Sequence, residues 1–548
     1  MAADGIRAHF WCFMACGMIA LSPFQYGLDF GIIGGLQAMP GFLEVGFFLP
    51  ISHVPTSSFN TSFVYGYEDR NTAIGWNIST TRQQLISSLM TLGAFLSSVL
   101  AGVIATKLGR KMCLWLSSLL CIVANILMMT TSHIGPLYFG RLLIGLGNGG
   151  FMTFSQLYLQ ESSPAKYRGL FLTIFQFCVT IGTLLGTIID WATAQRPDRS
   201  AYLIPLATIY VIPVLLAIGL FFIPESPRWL ILEGRVDEGR KALGWLRPTD
   251  ANIDDEVEEI QTSIQEHIEL TKTVTFWDMF KDRIDRRRSM ISIGAVSLQA
   301  ASGSMFIIAY KAYFFSVAQV EHPFAMTNVL STAGLLAILA NAFIVVRYGR
   351  RRLMLINGLV ICGCLQLIMA VTYDKQPHTI NAGKVLVAMS CIFMVAFNGM
   401  VAPYSWMVAG EAPSQRLRSY TFGVASACGY LLAWLVTFTT PYFINPSALN
   451  WGPRYGYIWF PSCIIAALWA FFFLPEFKRR TLEEINAMFI EQLPARKFRR
   501  YEVPGTSQPK TIDTLSDWKS NSTAAYSRLR RGQLGALFLI IIASPTYG

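Results

Sequence analysis

ESSPAKYR, residues 161–168, returns in altered form as EAPSQRLR, residues 411–418, 250 positions later. In both copies a glutamate leads and an arginine follows seven residues on: Glu161 with Arg168, Glu411 with Arg418. A carboxylate and a guanidinium at such a site can form a bidentate pair. The flanking motifs repeat with nearly the same offset. KLGRKM at 107–112 answers RYGRRR at 347–352, with Gly109 and Gly349 240 positions apart, and PESPRW at 224–229 answers PEFKRR at 475–480, with their prolines 251 apart. Three motifs repeated in the same order make the chain two related halves.

Composition says where those halves reside. Of 548 residues, 53% are hydrophobic and 14% charged, and the mean hydropathy is +0.43; soluble chains carry about a quarter charged residues. The apolar residues fall into twelve blocks, near 8–34, 84–106, 112–132, 136–158, 170–191, 201–223, 289–317, 325–346, 353–373, 383–409, 420–444 and 454–474. About 20 residues cross a bilayer as a helix, so the expected fold is an all-α membrane protein of twelve transmembrane helices in two pseudo-symmetric six-helix halves. The expected division is 1–223 for the first half, 224–288 for a helical linker, 289–475 for the second half and 476–548 for a largely disordered tail. The first block starts close to residue 1 and lacks a small-residue cleavage site, so it reads as a retained helix.

The net charge of +11 is no nucleic-acid footprint, because the cations sit in loops on one side of the topology: Lys107, Arg110 and Lys111; Lys166 and Arg168; Arg347 and Arg350 to Arg352; Arg416 and Arg418. The positive-inside rule makes that side cytoplasmic, and with it both termini and segment 224–288. On the opposite side, sequons at Asn60 and Asn77 are glycosylation candidates; a third, at Asn521, falls in the cytoplasmic tail. All ten cysteines lie in predicted spans, which places no disulfide framework. No phosphate-binding loop, H-E-x-x-H motif or Cys/His cluster is present, so no enzyme, cofactor or metal site is expected.

Duplicated membrane halves are the architecture of transporters that alternate access around a midplane site. The repeated Glu and Arg, with Arg110 and Arg350, are therefore gate candidates that hold the cytoplasmic ends together in one state and release them in another; the plainer alternative is surface ion pairs of about 0–1 kcal/mol each. Within the spans, Asp29 and Arg141 stand in apolar segments, where a lone charge costs at least ~2.5–3.5 kcal/mol. They are either a movable pair that takes up and releases a proton or a static pair that fixes packing.

Read together, GLDFGIIGG (27–35), GRLLIGLGNG (140–149), ESSPAKYRG, PESPRWLILEGR (224–235), GEAPSQRLRSYTFG (410–423) and PEFKRRTLEE (475–484) make the chain similar to the sugar porter branch of the major facilitator superfamily. YKAYFF (310–315), TPYFINPSALNWG (440–452) and LPARKF (493–498) resemble fungal sugar and α-glucoside permeases. The resemblance implies proton-coupled symport of a sugar or glycoside across the bilayer, with the plasma membrane as default location and a monomer as default state. It implies proton coupling at Asp29 and Arg141, substrate contacts at Gln176, Gln299, Tyr310 and Trp406, and a gate of Gly109, Arg110, Glu161, Arg168, Glu225, Arg350, Glu411, Arg418 and Glu476. The plainer alternative is that the glutamines bond neighbouring helices and the tryptophan packs as a core aromatic.

The chain departs from the family pattern. Ala300, Met305, Thr183 and Ala433 stand where the family often has amides, and Thr106 where it has an acid before Gly109–Arg110. Lys311 enters the seventh span, either snorkelling to the outer interface or attracting an anionic cargo. Two rival functions stay open: transport of a less polar or weakly acidic metabolite, and nutrient sensing without transport.

Overall fold

The computed structural model describes residues 9–43, 66–68, 76–131, 133–164, 168–196, 198–248, 252–272, 274–377, 379–478, 480, 482–498 and 501. The apolar blocks are helices. The first half comprises α1 (Phe10–Ile19), α2 (Leu21–Leu36), α3 (Pro40–Leu43), α4 (Thr80–Leu108), α5 (Arg110–Thr130), α6 (Ile134–Ser162), α7 (Arg168–Thr193) and α8 (Ser200–Gly219). A linker follows with α9 (Pro227–Leu232), α10 (Val236–Leu246), α11 (Ile253–Thr271) and α12 (Asp278–Lys281). The second half comprises α13 (Arg283–Ala301), α14 (Ser304–Val317), α15 (Pro323–Tyr348), α16 (Arg351–Lys375), α17 (Ile380–Ala396), α18 (Ala402–Glu411), α19 (Arg418–Ile444) and α20 (Gly456–Phe473), after which comes α21 (Leu482–Ile490). Between α3 and α4, β1 (Gly66–Glu68) and β2 (Trp76–Ile78) pair antiparallel with Tyr67 opposite Asn77.

Among the described residues, ten spans are long and apolar enough to cross a membrane by length and composition. Two more complete the set of twelve. The first span is divided at Ala20 into α1 and α2, each shorter than a bilayer crossing, and α6 is 29 residues long but carries Arg141, Asn148 and a run of glycines that lower its hydropathy. Two spans of the second half are interrupted. Gly303, at φ +72°, separates α13 from α14, and the hydroxyls of Ser302 and Ser304 donate to the carbonyl of Gln299, which the break leaves without its helical donor. A π-turn at Phe397–Val401 separates α17 from α18.

Small residues let the helices close. A Cβ on Gly27 would lie 1.9 Å from the Val179 carbonyl oxygen, and one on Gly182 would lie 2.2 Å from that of Phe24, so α2 and α7 touch backbone to backbone. Gly145 meets the Met90 carbonyl in the same way, closing α6 onto α4. The halves meet reciprocally. The second span of the first half, α4, packs on the fifth of the second, α19; α15 packs on α7 in the mirror arrangement; and α2 meets α14.

The linker helices α9, α10 and α11 bury Ile231, Leu243 and Val257 against one another. Arg247 fastens them to the first half: it pairs with Glu256 at 2.6 Å and donates to the Ser162 carbonyl at 2.9 Å. The reading of 476–548 as a largely disordered tail needs correction at its start. Phe477, Phe489 and Phe498 form one aromatic cluster, with the Arg288 guanidinium 4.8 Å from the Phe489 ring centre, so α21 is docked under α13. Residues 502–548, including Asn521 and the apolar stretch 532–548, lie outside the described residues.

Candidate functional site

Asp29 on α2 and Arg141 on α6 are each 0% exposed. The Arg141 Nη1 donates to Asp29 Oδ1 at 3.0 Å, its Nε to the Ile86 carbonyl at 3.1 Å, and its Nη2 lies 3.1 Å from the Met90 sulfur. The second carboxylate oxygen, Oδ2, accepts from Asn148 Nδ2 at 2.9 Å. Both charges are thus paired and hydrogen-bonded, the condition under which burial is tolerated. Asn148 is the member that sequence reasoning missed. It stands in GLGNGG, a stretch whose glycines read as packing residues, and its amide was the one polar signal there. All three groups belong to the first half, so rocking of the halves can change access to the carboxylate without dismantling the set.

The four expected substrate residues divide. Gln176 on α7 is exposed. Gln299, beside the break before α14, has its Nε2 buried and without a hydrogen-bond partner, and Trp406 on α18 is 36% exposed with its ring 6.0 Å from Phe422. Tyr310 differs: it is fully buried at a non-helical point of α14, and its hydroxyl donates to the Thr437 carbonyl at 2.6 Å, which commits it to joining α14 to α19. A groove of about 510 Å³ between α13 and α20, lined among others by Gly294, Pro461 and Trp469, includes none of these four residues.

At the basic end each half builds the same cluster. In the first, Arg110 Nη2 donates to Glu161 at 2.7 Å, while Glu225 accepts from the N–H groups of Arg110 at 3.1 Å and Lys111 at 3.0 Å. In the second, Arg351 Nη2 donates to Glu411 at 2.9 Å, while Glu476 accepts from the N–H groups of Arg351 at 3.0 Å and Arg352 at 3.3 Å. A carboxylate caps the opening turn of α5 and of α16 alike, where unpaired N–H groups and the helix dipole favour an anion. Burial raises the Glu225 carboxyl above the ordinary glutamate value, opposed by these N–H donors and by Arg110.

The motif alignment therefore slips by one residue. Arg351 does what Arg110 does, whereas Arg350, its aligned partner, is exposed. Gly109, at φ +83°, turns the chain directly into α5; in the second half Arg350 is the extended residue before α16. The Arg110–Glu161 and Arg351–Glu411 pairs each lie inside one half and do not bridge the two in this conformation. Arg418 is half-buried at the start of α19 within electrostatic reach of Glu411, and the Arg168 side chain lies outside the described residues. A buried arginine missed in the sequence, Arg288, caps the end of α18 by donating to the carbonyls of Ala412 and Pro413 at 2.8 and 3.1 Å. Trp229 donates to the Thr106 carbonyl at 3.0 Å, tying α9 to α4 where the family's acid is absent.

The opposite end, carrying the β-hairpin, joins the halves. Asn445 Nδ2 donates to the Ile78 carbonyl at 2.8 Å and to Gln83 Oε1 at 2.9 Å, Ser447 and Thr80 share a 2.8 Å hydroxyl contact, and the Tyr313 hydroxyl donates to Asn77 Oδ1 at 2.9 Å. Asn77 is 1% exposed and its carbonyl is engaged, so a glycan there does not fit this structure; Asn60 lies outside the described residues. Lys311 does not snorkel. It is 3% exposed and donates to Ser331 Oγ at 3.0 Å.

Comparison with known proteins agrees with this architecture. The profile of the family described as sugar (and other) transporters matches residues 15–489. The major facilitator-type transporter ecdD of Aspergillus rugulosus is 25% identical over 520 residues, covering 92% of each chain. The low-affinity glucose transporter HXT1 of Saccharomyces cerevisiae is 26% identical over 490 residues, 87% of this chain and 81% of that protein. The solved structure of the proton:xylose symporter XylE of E. coli, bound to 6-bromo-6-deoxy-D-glucose, superposes with a TM-score of 0.66 at 19% identity, over 88% of this chain and 99% of that one; it shares the twelve-helix major facilitator fold. The chain belongs to the sugar (and other) transporter family.

Proposed function

We propose that this protein is a proton-coupled symporter that imports a sugar or glycoside by alternating access, with the basic end and both termini cytoplasmic, in the plasma membrane. The observation that carries the reading is the Asp29–Arg141–Asn148 set: a carboxylate inside the bilayer, held by a guanidinium and an amide, at the kind of position where ionisable groups mark ion and proton paths. The relatives named as glucose transporters and the fold shared with a proton:xylose symporter support it. A proton entering with cargo brings about 2.3 kcal/mol per 100 mV of membrane potential, enough to concentrate a neutral solute.

Gln176, Gln299 and Trp406 are the proposed cargo contacts. Gln299 fits best, because its buried amide has no partner in the protein and a sugar hydroxyl supplies one. At the cytoplasmic end, the clusters around Glu161 and Glu411 brace the rims of the halves and re-pair across them when the inner side closes. A second reading, a less polar cargo, rests on the missing amides at Thr183, Ala300, Met305 and Ala433, since each hydrogen bond lost forfeits ~0.5–1.5 kcal/mol.

The test uses purified protein in liposomes with an imposed pH gradient and an internal pH dye, offered maltose, glucose and several organic acids in turn. Sugar-dependent proton entry supports the proposal. Proton entry only with an acid, or none with any sugar, overturns the sugar assignment.

A further inference from the structure

The bilayer-embedded part holds a second pair of opposite charges, and it differs from the first in one respect: it spans the two halves. Asp190 lies on α7, one turn before the hairpin end of that helix, and is 1% exposed. No side chain hydrogen-bonds its carboxylate; the backbone N–H of Gly35 is the group that faces it. Gly35 leaves it room, since a Cβ there would sit 2.0 Å from Oδ2. Lys311, on α14 of the other half, is within electrostatic reach of that carboxylate while its Nζ donates to Ser331 on α15. Ser331 also faces Thr187 of α7, at 3.5 Å. One hydroxyl contact and one couple of opposite charges thus cross the same seam between the halves, at the level where Tyr313, Asn445 and Ser447 close the hairpin end.

Closing that end brings the ammonium, held by Ser331, and the carboxylate toward each other out of water, where each answers the other's charge. Opening it separates them by moving α14 and α15 away from α7. The Asp29 set, built from one half, has no such dependence. We propose that Asp190 and Lys311 form an electrostatic latch between the halves that holds the hairpin end closed, the end facing outside in the orientation proposed above. Lys311 is thereby matched by a carboxylate of the protein itself, and its charge is not left for an anionic cargo. The inference rests on rocking of the halves and not on the identity of the cargo.

The test reads exposure instead of transport. Ser87, on α4, is buried, accepts from Gln37 Nε2 at 2.6 Å and lies near Tyr310 of α14, so Ser87→Cys reports opening through its rate of reaction with a soluble maleimide, measured on monodisperse protein in lipid nanodiscs and corrected for the parent with its ten native cysteines. Asp190→Asn and Lys311→Met each strand one charge in the closed state and should raise the labelling rate about tenfold, a shift of ~1.4 kcal/mol. The double variant Asp190→Asn/Lys311→Met strands neither and should return to within about threefold of the parent. Ser331→Ala, which keeps both charges and only loosens Lys311, should raise labelling about threefold and serves if a charge variant fails to fold. Parental labelling in the variants, or a double variant that opens as much as the two single effects combined, overturns the latch.

Discussion

Asp29, Arg141, Glu161 and Glu411 were legible as residues because a charge inside an apolar block, or one repeated at a fixed offset, stands out against its surroundings. What those residues touch was less so. The sequence aligns Arg110 with Arg350, yet Arg351 reaches Glu411, because the register is set by where the helix starts: a glycine at φ +83° does so in the first half and an extended residue one position later in the second. Arg110→Ala and Arg351→Ala should therefore each lower uptake about tenfold, while Arg350→Ala stays within about twofold; equal losses at 350 and 351 would refute the slipped register. Glu225 gives a pH test. Its carboxyl is raised in the folded protein, so the stability tied to its proton is complete below the ordinary glutamate value of about 4.5 and is lost as pH climbs through the raised value. Measured by melting in detergent, the difference in Tm between Glu225→Gln and the parent should move in favour of the variant as pH rises from about 4.5 to 7. A difference that stays flat, or moves the other way, contradicts the assignment.

Elements were legible where the apolar block is continuous. The interruptions were not, because they come from local hydrogen bonding and packing instead of mean hydropathy: the division at Ala20, the left-handed Gly303 with two serines answering the freed Gln299 carbonyl, and the π-turn at 397–401. The same holds for α21, whose three phenylalanines are too few to announce a docked helix until Arg288 and α13 are placed against them. Close helix approach gives a prediction at this scale. Gly182→Ala puts a methyl group 2.2 Å from the Phe24 carbonyl, and overpacking of this kind costs about 1–3 kcal/mol, whereas Gly102 has nothing within 4 Å of its added Cβ and Gly102→Ala should be neutral or slightly stabilising. Melting of the two variants side by side checks it; equal melting temperatures would show that α2 and α7 are not in backbone contact.

At the scale of the molecule, the halves are joined at the hairpin end by Asn445, Ser447, Tyr313 and the Asp190–Lys311 couple, while the named arginine–glutamate pairs at the basic end stay inside their own halves. That asymmetry fits one stage of the proposed alternating-access cycle. The duplication that predicted two halves could not predict which end is closed, since repeated motifs read the same whichever end that is. Nor could it predict the seam contacts: Asn445 with Gln83 and Tyr313 with Asn77 pair residues more than 200 positions apart that share no motif.

In the proposed mechanism, proton movement through the Asp29 set drives uphill transport. Its most direct test compares parent and Asp29→Asn proteoliposomes in two assays, accumulation of labelled sugar against its gradient under an imposed pH gradient, and counterflow of the same sugar with no gradient. The variant should lose accumulation while counterflow stays within about threefold of the parent, because cargo still crosses but no longer with a proton. Accumulation that survives the substitution would contradict it.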